Sequence, residues 1–173
     1  MKSSLFFALI LLAASASHSQ TSPAASEAER PASVAAKAAA APAPAPERKP
    51  DVIFVPTPQA VVDEMLRMAE IGPKDVLYDL GCGDGRIVVT AAQRYGVKAV
   101  GYDIDPLRVQ EAREKVRIAG VGHLVRIEQA DVFTLDLTGA SVITLYLLPQ
   151  LNVRLMPQLA RLRTGARILS HNF

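Results

Sequence analysis

A glycine-rich segment that begins with an aspartate carries the clearest chemical signal in this chain of 173 residues. Residues 79–86 read DLGCGDGR and follow a short apolar run. Gly81 would permit a tight turn, Gly83 would let a ligand approach the backbone, and Gly85 would allow close packing at the start of the next helix. The spacing is G-x-G-x-G and not the dinucleotide pattern G-x-G-x-x-G, which argues against a bound pyrophosphate.

Two carboxylates indicate what kind of ligand this turn would hold. Asp79 ends the apolar run, where a carboxylate repels phosphate but attracts an ammonium or sulfonium group. Asp103 follows Gly81 by 22 residues and ends the next apolar run. An acidic residue in that position accepts hydrogen bonds from both hydroxyls of a ribose. Gly101 is expected to keep the approach to this site open.

Short apolar strands alternating with helices must position these residues. Apolar runs predict strands at 76–80, 98–102, 125–128, 142–147 and 166–170. Apolar residues at helical spacing predict helices near 58–69, 87–95, 106–119 and 149–162. The first would start with Thr57 as its cap and Pro58 in its first turn. Such alternation predicts an α/β fold, a parallel sheet with helices on both faces.

Residues 79–86, Asp103 and the segment Ala130-Asp131-Val132 together resemble the class I S-adenosylmethionine (SAM)-dependent methyltransferases. The resemblance spans most of residues 51–173 and implies a Rossmann-like class I methyltransferase sheet, SAM as cofactor and methyl transfer as the reaction. Such sheets usually have seven strands, so five predicted strands suggest either a chain truncated after the fifth strand or a minimal variant.

The same resemblance implies roles for individual residues. Asp79 and Gly81 would face the methionyl part of SAM, with Gly83 and Gly85 completing the turn, and Asp103 would bind the ribose hydroxyls. Asp131 would accept a hydrogen bond from the adenine amino group, and the backbone of Val132 would complete the adenine site.

A narrower resemblance involves residues 54–58 (FVPTP), 79–86 and 146–149 (YLLP). These are similar to the small protein-lysine methyltransferases related to the ATP synthase c-subunit lysine methyltransferase and to their bacterial relatives. The resemblance implies a protein substrate with a lysine acceptor, and membrane proteins are among the candidates. Thr57 would lie where the N-terminal segment of that family closes over the methionyl end of SAM; a helix cap is the alternative role.

Tyr146 is the candidate catalytic residue on the acceptor side. Its hydroxyl would orient an amine by a hydrogen bond, and the two leucines that follow it would form an apolar wall; a buried strand end is the alternative interpretation. Two other functions also remain open. One is an exported binding module with a SAM fold and no turnover, and the other is a small-molecule methyltransferase.

Composition excludes several classes of site and partner. From Asp51 onward the chain has 14 basic and 14 acidic residues, which argues against a nucleic-acid partner. Cys82 is the only cysteine, so an internal disulfide is excluded, and we expect a small buried filler and not a nucleophile. His123 and His171 lack metal-ligand spacing, so no metal is expected.

The last part of the chain carries an excess of positive charge. No acidic residue follows Asp136, whereas four arginines do. Arg154 and Arg161 are seven residues apart and share a helix face. We expect a solvated face, with contact to an acidic partner or an anionic lipid surface as the alternative. The oligomeric state is not predicted.

The N-terminus predicts export. Residues 1–16 combine Lys2, an apolar run at 5–14 and the small residues Ala14-Ser15-Ala16, as in a signal peptide. The expected compartment is the bacterial periplasm, with membrane tethering by an uncleaved N-terminal segment as the alternative. Residues 17–50 are rich in alanine and proline and predict a disordered linker, and residues 51–173 form the predicted methyltransferase domain.

Overall fold

The computed structural model describes residues 49–172. The predicted signal peptide and all but the end of the predicted linker lie outside the described residues. Within residues 49–172, none of the helices has the length and the hydrophobicity that a membrane span requires.

Helices and strands alternate along the described chain. The helices are α1 (Gln59–Met68), α2 (Arg86–Tyr95), α3 (Pro106–Ile118) and α4 (Pro149–Leu159), and the strands are β1 (Val76–Leu80), β2 (Lys98–Asp103), β3 (Val125–Gln129), β4 (Val142–Leu145) and β5 (Arg167–Ser170). A short 3-10 helix at Val132–Thr134, which the sequence pattern did not predict, lies between β3 and β4.

The five strands form one parallel sheet in the order β3-β2-β1-β4-β5. The chain proceeds from β1 outward to β3 and then returns to place β4 on the other side of β1. The connection that follows β1 therefore goes to one side of the sheet, and the connection that leads to β4 goes to the other side. Such a change of direction opens a crevice between β1 and β4 at the carboxyl ends of the strands. The predicted Rossmann-like α/β fold is confirmed.

Both faces of the sheet are covered by apolar side chains. Alternate strand residues point to opposite faces, so that Leu77 and Ala99 pack with α1, α2 and α3, whereas Val100 and Ile143 pack with α4. The sheet is thus held from both sides, and the carboxyl ends of its central strands become rigid supports for a site.

The start of α1 differs from the prediction. This helix begins at Gln59, Pro58 occupies the N-cap position, and no side chain caps the helix, so the prediction that Thr57 is the cap is wrong. The backbone remains extended through Pro58, which places Thr57 before the helix and leaves its side chain buried. In contrast, α3 has a side-chain cap, because the carboxylate of Asp105 accepts the Leu107 N–H at 2.9 Å.

Gly85 allows α2 and α3 to pack closely, and replacing it should destabilise the fold. Its φ is +75°, and an added Cβ would lie 2.9 Å from the Cβ of Ala112. We expect Gly85→Ala to lower the free energy of unfolding by roughly 2–4 kcal/mol, from backbone strain plus overpacking. Gly120 is the matched control, because its φ is +69° and nothing lies within 4 Å. Urea denaturation of both variants measures the difference, and equal losses would contradict the packing explanation.

Candidate active site

One pocket lies at the carboxyl ends of the central strands, covered by the extended segment that precedes α1. It brings together seven of the nine residues that the sequence analysis selected for a site: Thr57, Asp79, Gly81, Asp103, Asp131, Val132 and Tyr146. Gly83 and Gly85 do not line it. The parallel arrangement explains the convergence, because residues that follow different strands meet at one edge of the sheet.

The glycine turn is fixed by the neighbouring strand. The N–H groups of Gly81 and Cys82 both donate to the carbonyl oxygen of Tyr102 at 2.9 Å. Cys82 is buried against Gly101, where an added Cβ would lie 2.9 Å from the cysteine sulfur. Gly101 therefore accommodates this side chain and does not keep an approach open for a ligand, contrary to the prediction.

Gly83 also differs from its predicted role. An added Cβ would lie 2.0 Å from the ring of Phe54, so this ring covers the face of Gly83 that was expected to receive a ligand. The backbone of Gly83 instead acts within the protein, since its N–H donates to Asp103 Oδ2 at 2.8 Å. The glycine admits Phe54 and helps to hold the carboxylate of Asp103.

Asp103 retains the capacity to bind a ligand. Its Oδ1 accepts the N–H of Asp105 at 2.9 Å, and its Oδ2 accepts the N–H of Gly83. Each carboxylate oxygen can accept a further hydrogen bond, so two hydroxyl groups can be accommodated. Burial raises the pKa of Asp103 above its usual value, and the two backbone N–H groups partly offset that effect.

Asp79 is the least satisfied polar group in the pocket. Its side chain is buried, Oδ1 accepts the hydroxyl of Thr144 at 2.8 Å, and Oδ2 has no hydrogen-bond partner among the described residues. The pKa of Asp79 is raised to about 7, mainly by burial and to a smaller extent by the charges of Asp103 and Asp84, although the Thr144 hydrogen bond lowers it. A buried carboxylate oxygen without a partner is costly, so it indicates a ligand that brings a cationic donor.

The pairing of Thr144 with Asp79 was not predicted from the sequence. Thr144 is the single polar residue of β4, whose other three residues are apolar, and it lies directly opposite Asp79 in the pairing of β4 with β1. A buried threonine in an apolar strand was the available signal.

Asp84 and Arg86 anchor the segment that covers the pocket. Although burial alone would raise the pKa of Asp84, hydrogen bonds from Arg86 and Lys115 lower it to about 2. Arg86 also donates to the carbonyl oxygen of Thr57 at 2.8 Å. The start of α2 is thereby tied both to α3 and to the segment before α1.

Phe54 is the second anchor of this covering segment. Its ring lies over Gly83, and the guanidinium carbon of Arg108 is 5.0 Å from the ring centroid, a favourable cation–π distance. The sequence analysis assigned Phe54 no individual role. A single aromatic residue two positions before Pro-Thr-Pro was the available signal.

A second wall of the pocket follows β3. Asp131 Oδ1 accepts the N–H of Phe133 at 3.0 Å and so caps the short 3-10 helix. Val132 and Phe133 also line the pocket, and the guanidinium carbon of Arg154 lies 3.7 Å from the centroid of the Phe133 ring. This wall combines a carboxylate with an apolar surface, which suits a flat heterocycle bearing an amino group.

Tyr146 lies at the opposite end of the pocket, immediately after β4. Its ring packs against the ring of His171 with a centroid separation of 4.3 Å, and the backbone N–H of His171 donates to the carbonyl oxygen of Leu145 at 3.0 Å. His171 was considered only as a metal ligand on the basis of the sequence, whereas the structure places it beside the candidate catalytic residue. Leu147 is buried next to Gly81 and lines the pocket, whereas Leu148 is 39% exposed and does not line it. Only one of the two leucines that were predicted to form an apolar wall therefore does so.

The charge of the pocket favours a cationic ligand. Six aspartates and two arginines line it. Cys82 also lines it, but burial raises the pKa of its thiol well above the ordinary value, which disfavours a nucleophilic thiolate. Within residues 49–172, no group of three or more histidine, cysteine, aspartate or glutamate side chains is arranged to hold a metal ion.

Comparison with known protein families gives a match for the carboxyl-terminal part of the chain. Residues 79–173 match the ANTKMT methyltransferase domain. This region begins at Asp79 and includes the glycine turn, Asp103, Asp131 and Tyr146.

Individual relatives support the same assignment. A protein-lysine N-methyltransferase of Saccharolobus islandicus (strain REY15A) is 43% identical over 126 residues, which cover 72% of this chain and 78% of the relative. The ATP synthase c-subunit lysine N-methyltransferase of Mus musculus is 34% identical over 133 residues, covering 73% of this chain and 51% of that protein. The chain thus spans about half the length of the mouse protein.

A solved structure shares both sequence and fold with this chain. It is an RNA methyltransferase from Salinibacter ruber in complex with S-adenosyl-L-homocysteine, with 50% sequence identity and a TM-score of 0.67. The match covers 69% of this chain and 78% of that chain.

Proposed function

Because this chain belongs to the ANTKMT methyltransferase domain family, we propose that it is a SAM-dependent methyltransferase whose acceptor is a lysine amine of a protein. The observation that carries the proposal is the buried carboxylate of Asp79, which has an oxygen without a partner among the described residues and lies in the same pocket as Asp103. A ligand that joins an ammonium group to a ribose fits both carboxylates.

The residues that line the pocket fit the methionyl, ribose and adenine parts of SAM in turn. Asp79 would bind the ammonium of the methionyl part beside Gly81, Asp103 would accept the ribose hydroxyls, and Asp131 and the backbone of Val132 would hold the adenine. SAM supplies a methyl group that its sulfonium makes reactive. The protein aligns the acceptor with this methyl group and excludes water, for which a covered pocket is suited.

The acceptor side must supply an uncharged amine. A lysine ammonium that enters an apolar environment loses its proton to water more readily, because desolvation disfavours the charged form. Leu147 provides apolar surface there, and the hydroxyl of Tyr146 would accept a hydrogen bond from the amine and orient its lone pair. We therefore propose Tyr146 as a catalytic residue.

Two observations bear on the class of acceptor. The relative from Saccharolobus islandicus acts on protein lysine by its name, whereas the structure from Salinibacter ruber is named an RNA methyltransferase. A domain with 14 basic and 14 acidic residues from Asp51 onward supports protein over RNA as the acceptor, because RNA binding relies on excess positive charge.

Incubation with cell extract and SAM labelled in its methyl group tests the choice between protein and RNA. Label that is released by protease and recovered as methyl-lysine is expected, whereas nuclease-sensitive label would identify RNA and label in small molecules would identify a third class.

We also propose that the chain is exported and that its working compartment is the periplasm. The support is the charge, apolar run and small residues of segment 1–16. Cell fractionation with N-terminal sequencing is expected to find a mature chain that starts near Ser17 in the soluble envelope fraction. A chain that keeps residues 1–16 in the membrane fraction would indicate the tethered alternative.

Removing the ring of Phe54 should weaken cofactor binding. Phe54→Ala uncovers Gly83 and frees the covering segment from Arg108, so we expect the Kd for S-adenosylhomocysteine to rise about tenfold. Isothermal titration calorimetry measures this change. Met68→Ala, which shortens an apolar side chain that is 63% exposed on α1, is the control and should leave the Kd unchanged. Equal Kd values for both variants would show that the segment does not close the site.

A further inference from the structure

Helix α4 presents an uncharged apolar face to solvent. Val153, Met156 and the C-cap residue Ala160 recur at spacings of three and four residues, so they share one side of the helix, and Val153 and Met156 are 70% and 60% exposed. Leu155 and Leu159 are buried on the opposite side, against the sheet. We call Val153, Met156 and Ala160 the outer face of α4.

Positive charge flanks the outer face. Of the four arginines that follow Asp136, Arg167 forms an ion pair with Asp75. Arg154 instead lies on one flank of α4, and Arg161 lies in the turn just after the helix, where its charge interacts with that of Asp136. No acidic residue exists between position 137 and the end of the sequence. Arg154 and Arg161 outnumber Asp136, so this flank has a local excess of positive charge in a domain with equal numbers of basic and acidic residues.

The flank is continuous with the wall of the candidate active site. Leu151, in the first turn of α4, lines the pocket, and Arg154 lies over the ring of Phe133, which also lines it. A surface on which the outer face docks would therefore lie near the opening through which an acceptor must enter.

We propose that the outer face of α4 docks on the surface of an anionic lipid membrane. Apolar side chains enter the boundary between headgroups and acyl chains, while flanking arginines meet the anionic headgroups. A bilayer satisfies both features without a matched shape, whereas an acidic protein would need carboxylates opposite Arg154 and Arg161 and an apolar patch opposite Val153. Docking does not depend on methyl transfer, so it goes beyond the proposed function.

Co-sedimentation of the full chain with vesicles tests this proposal. Phosphatidylcholine vesicles with added phosphatidylserine should bind the unmutated chain more tightly than phosphatidylcholine alone. Each arginine near such a surface contributes about fivefold, so Arg154→Gln/Arg161→Gln should lower partitioning on the anionic vesicles by about 30-fold. Val153→Gln/Met156→Gln should lower it by about tenfold, through lost apolar contact.

The matched control is Lys74→Gln/Lys98→Gln, which removes the same charge from two exposed residues near the amino ends of β1 and β2. This variant should bind vesicles as the unmutated chain does. Every variant carries the same N-terminal segment before Asp51, so the contribution of that segment cancels in the comparison. Equal losses in the arginine and lysine variants would overturn the proposal. So would binding to soluble polyglutamate in place of vesicles, which would identify an acidic protein partner. Calorimetry with S-adenosylhomocysteine in the absence of vesicles tests the proposed function separately.

Discussion

The Asp103→Ala variant is expected to bind SAM and S-adenosylhomocysteine at least about 100-fold more weakly than the unmutated chain. Two hydrogen bonds from ribose hydroxyls to a carboxylate are lost, and bonds to a charged group contribute roughly 1.5–3 kcal/mol each. The variant also removes the acceptor of the N–H groups of Gly83 and Asp105, so the glycine turn loses a support. Isothermal titration calorimetry measures the change in Kd.

A matched control separates loss of binding from loss of a loop contact. Asp136 also accepts a backbone hydrogen bond, from Thr138 at 3.1 Å, but it does not line the pocket. Asp136→Ala should leave the Kd unchanged. Circular dichroism should show that Asp103→Ala keeps its helices and strands. If a folded Asp103→Ala variant bound the cofactor as tightly as the Asp136→Ala control, the ribose assignment would be wrong.

Asp79 should make cofactor affinity depend on pH. With a pKa of about 7 in the unliganded chain, its carboxyl is largely protonated at pH 5.5, and it must ionise to pair with the ammonium of the ligand. Affinity should therefore fall by about 25-fold between pH 7.5 and pH 5.5 if the bound carboxylate is fully ionised. The Asp79→Asn variant should bind more weakly at pH 7.5 and show a nearly flat profile, measured by calorimetry across this range.

The pH dependence of the stability of the unliganded chain independently checks the direction in which the pKa of Asp79 is shifted. The pKa of Asp79 is raised on folding, so the folded chain binds more protons than the unfolded chain between about pH 4 and pH 7. The contribution of Asp79 to the free energy of unfolding is complete below pH 4 and is lost as the pH rises through 7. The Asp79→Asn variant should not show this decline in the free energy of unfolding, which denaturant unfolding measures. A wild-type affinity that is the same at pH 5.5 and pH 7.5 would contradict the role assigned to Asp79.

Local sequence patterns were sufficient to predict the framework of the site. The apolar run at Val76–Leu80 and the glycines that follow it determine a strand, a turn and a helix from neighbouring residues alone. Asp79 and Asp103 could be placed at one edge of the sheet because strands joined by a helix run parallel. The expected boundaries were less exact, as the shift of α1 to Gln59 shows, because a terminal residue makes few of the bonds that define a helix.

Contacts between distant residues could not be predicted in this way. The bond from Thr144 to Asp79 joins residues 65 positions apart, and it exists because β4 pairs with β1 and not with β3. The ring of Phe54 reaches Gly83 because the chain before α1 crosses the turn in an extended conformation. Each contact depends on how the strands and segments are assembled, and hydrophobic periodicity carries no information about that arrangement.

Methyl transfer to protein is the activity on which the account depends, and one assay tests it most directly. The purified chain and its Asp103→Ala variant are incubated with envelope proteins and SAM labelled in its methyl group, and hydrolysed protein is analysed for methyl-lysine. We predict labelled methyl-lysine with the unmutated chain and a signal reduced to background with Asp103→Ala at a SAM concentration well below the Kd of the variant. Absence of label with a folded, unmutated chain that also fails to bind SAM would contradict the proposed function.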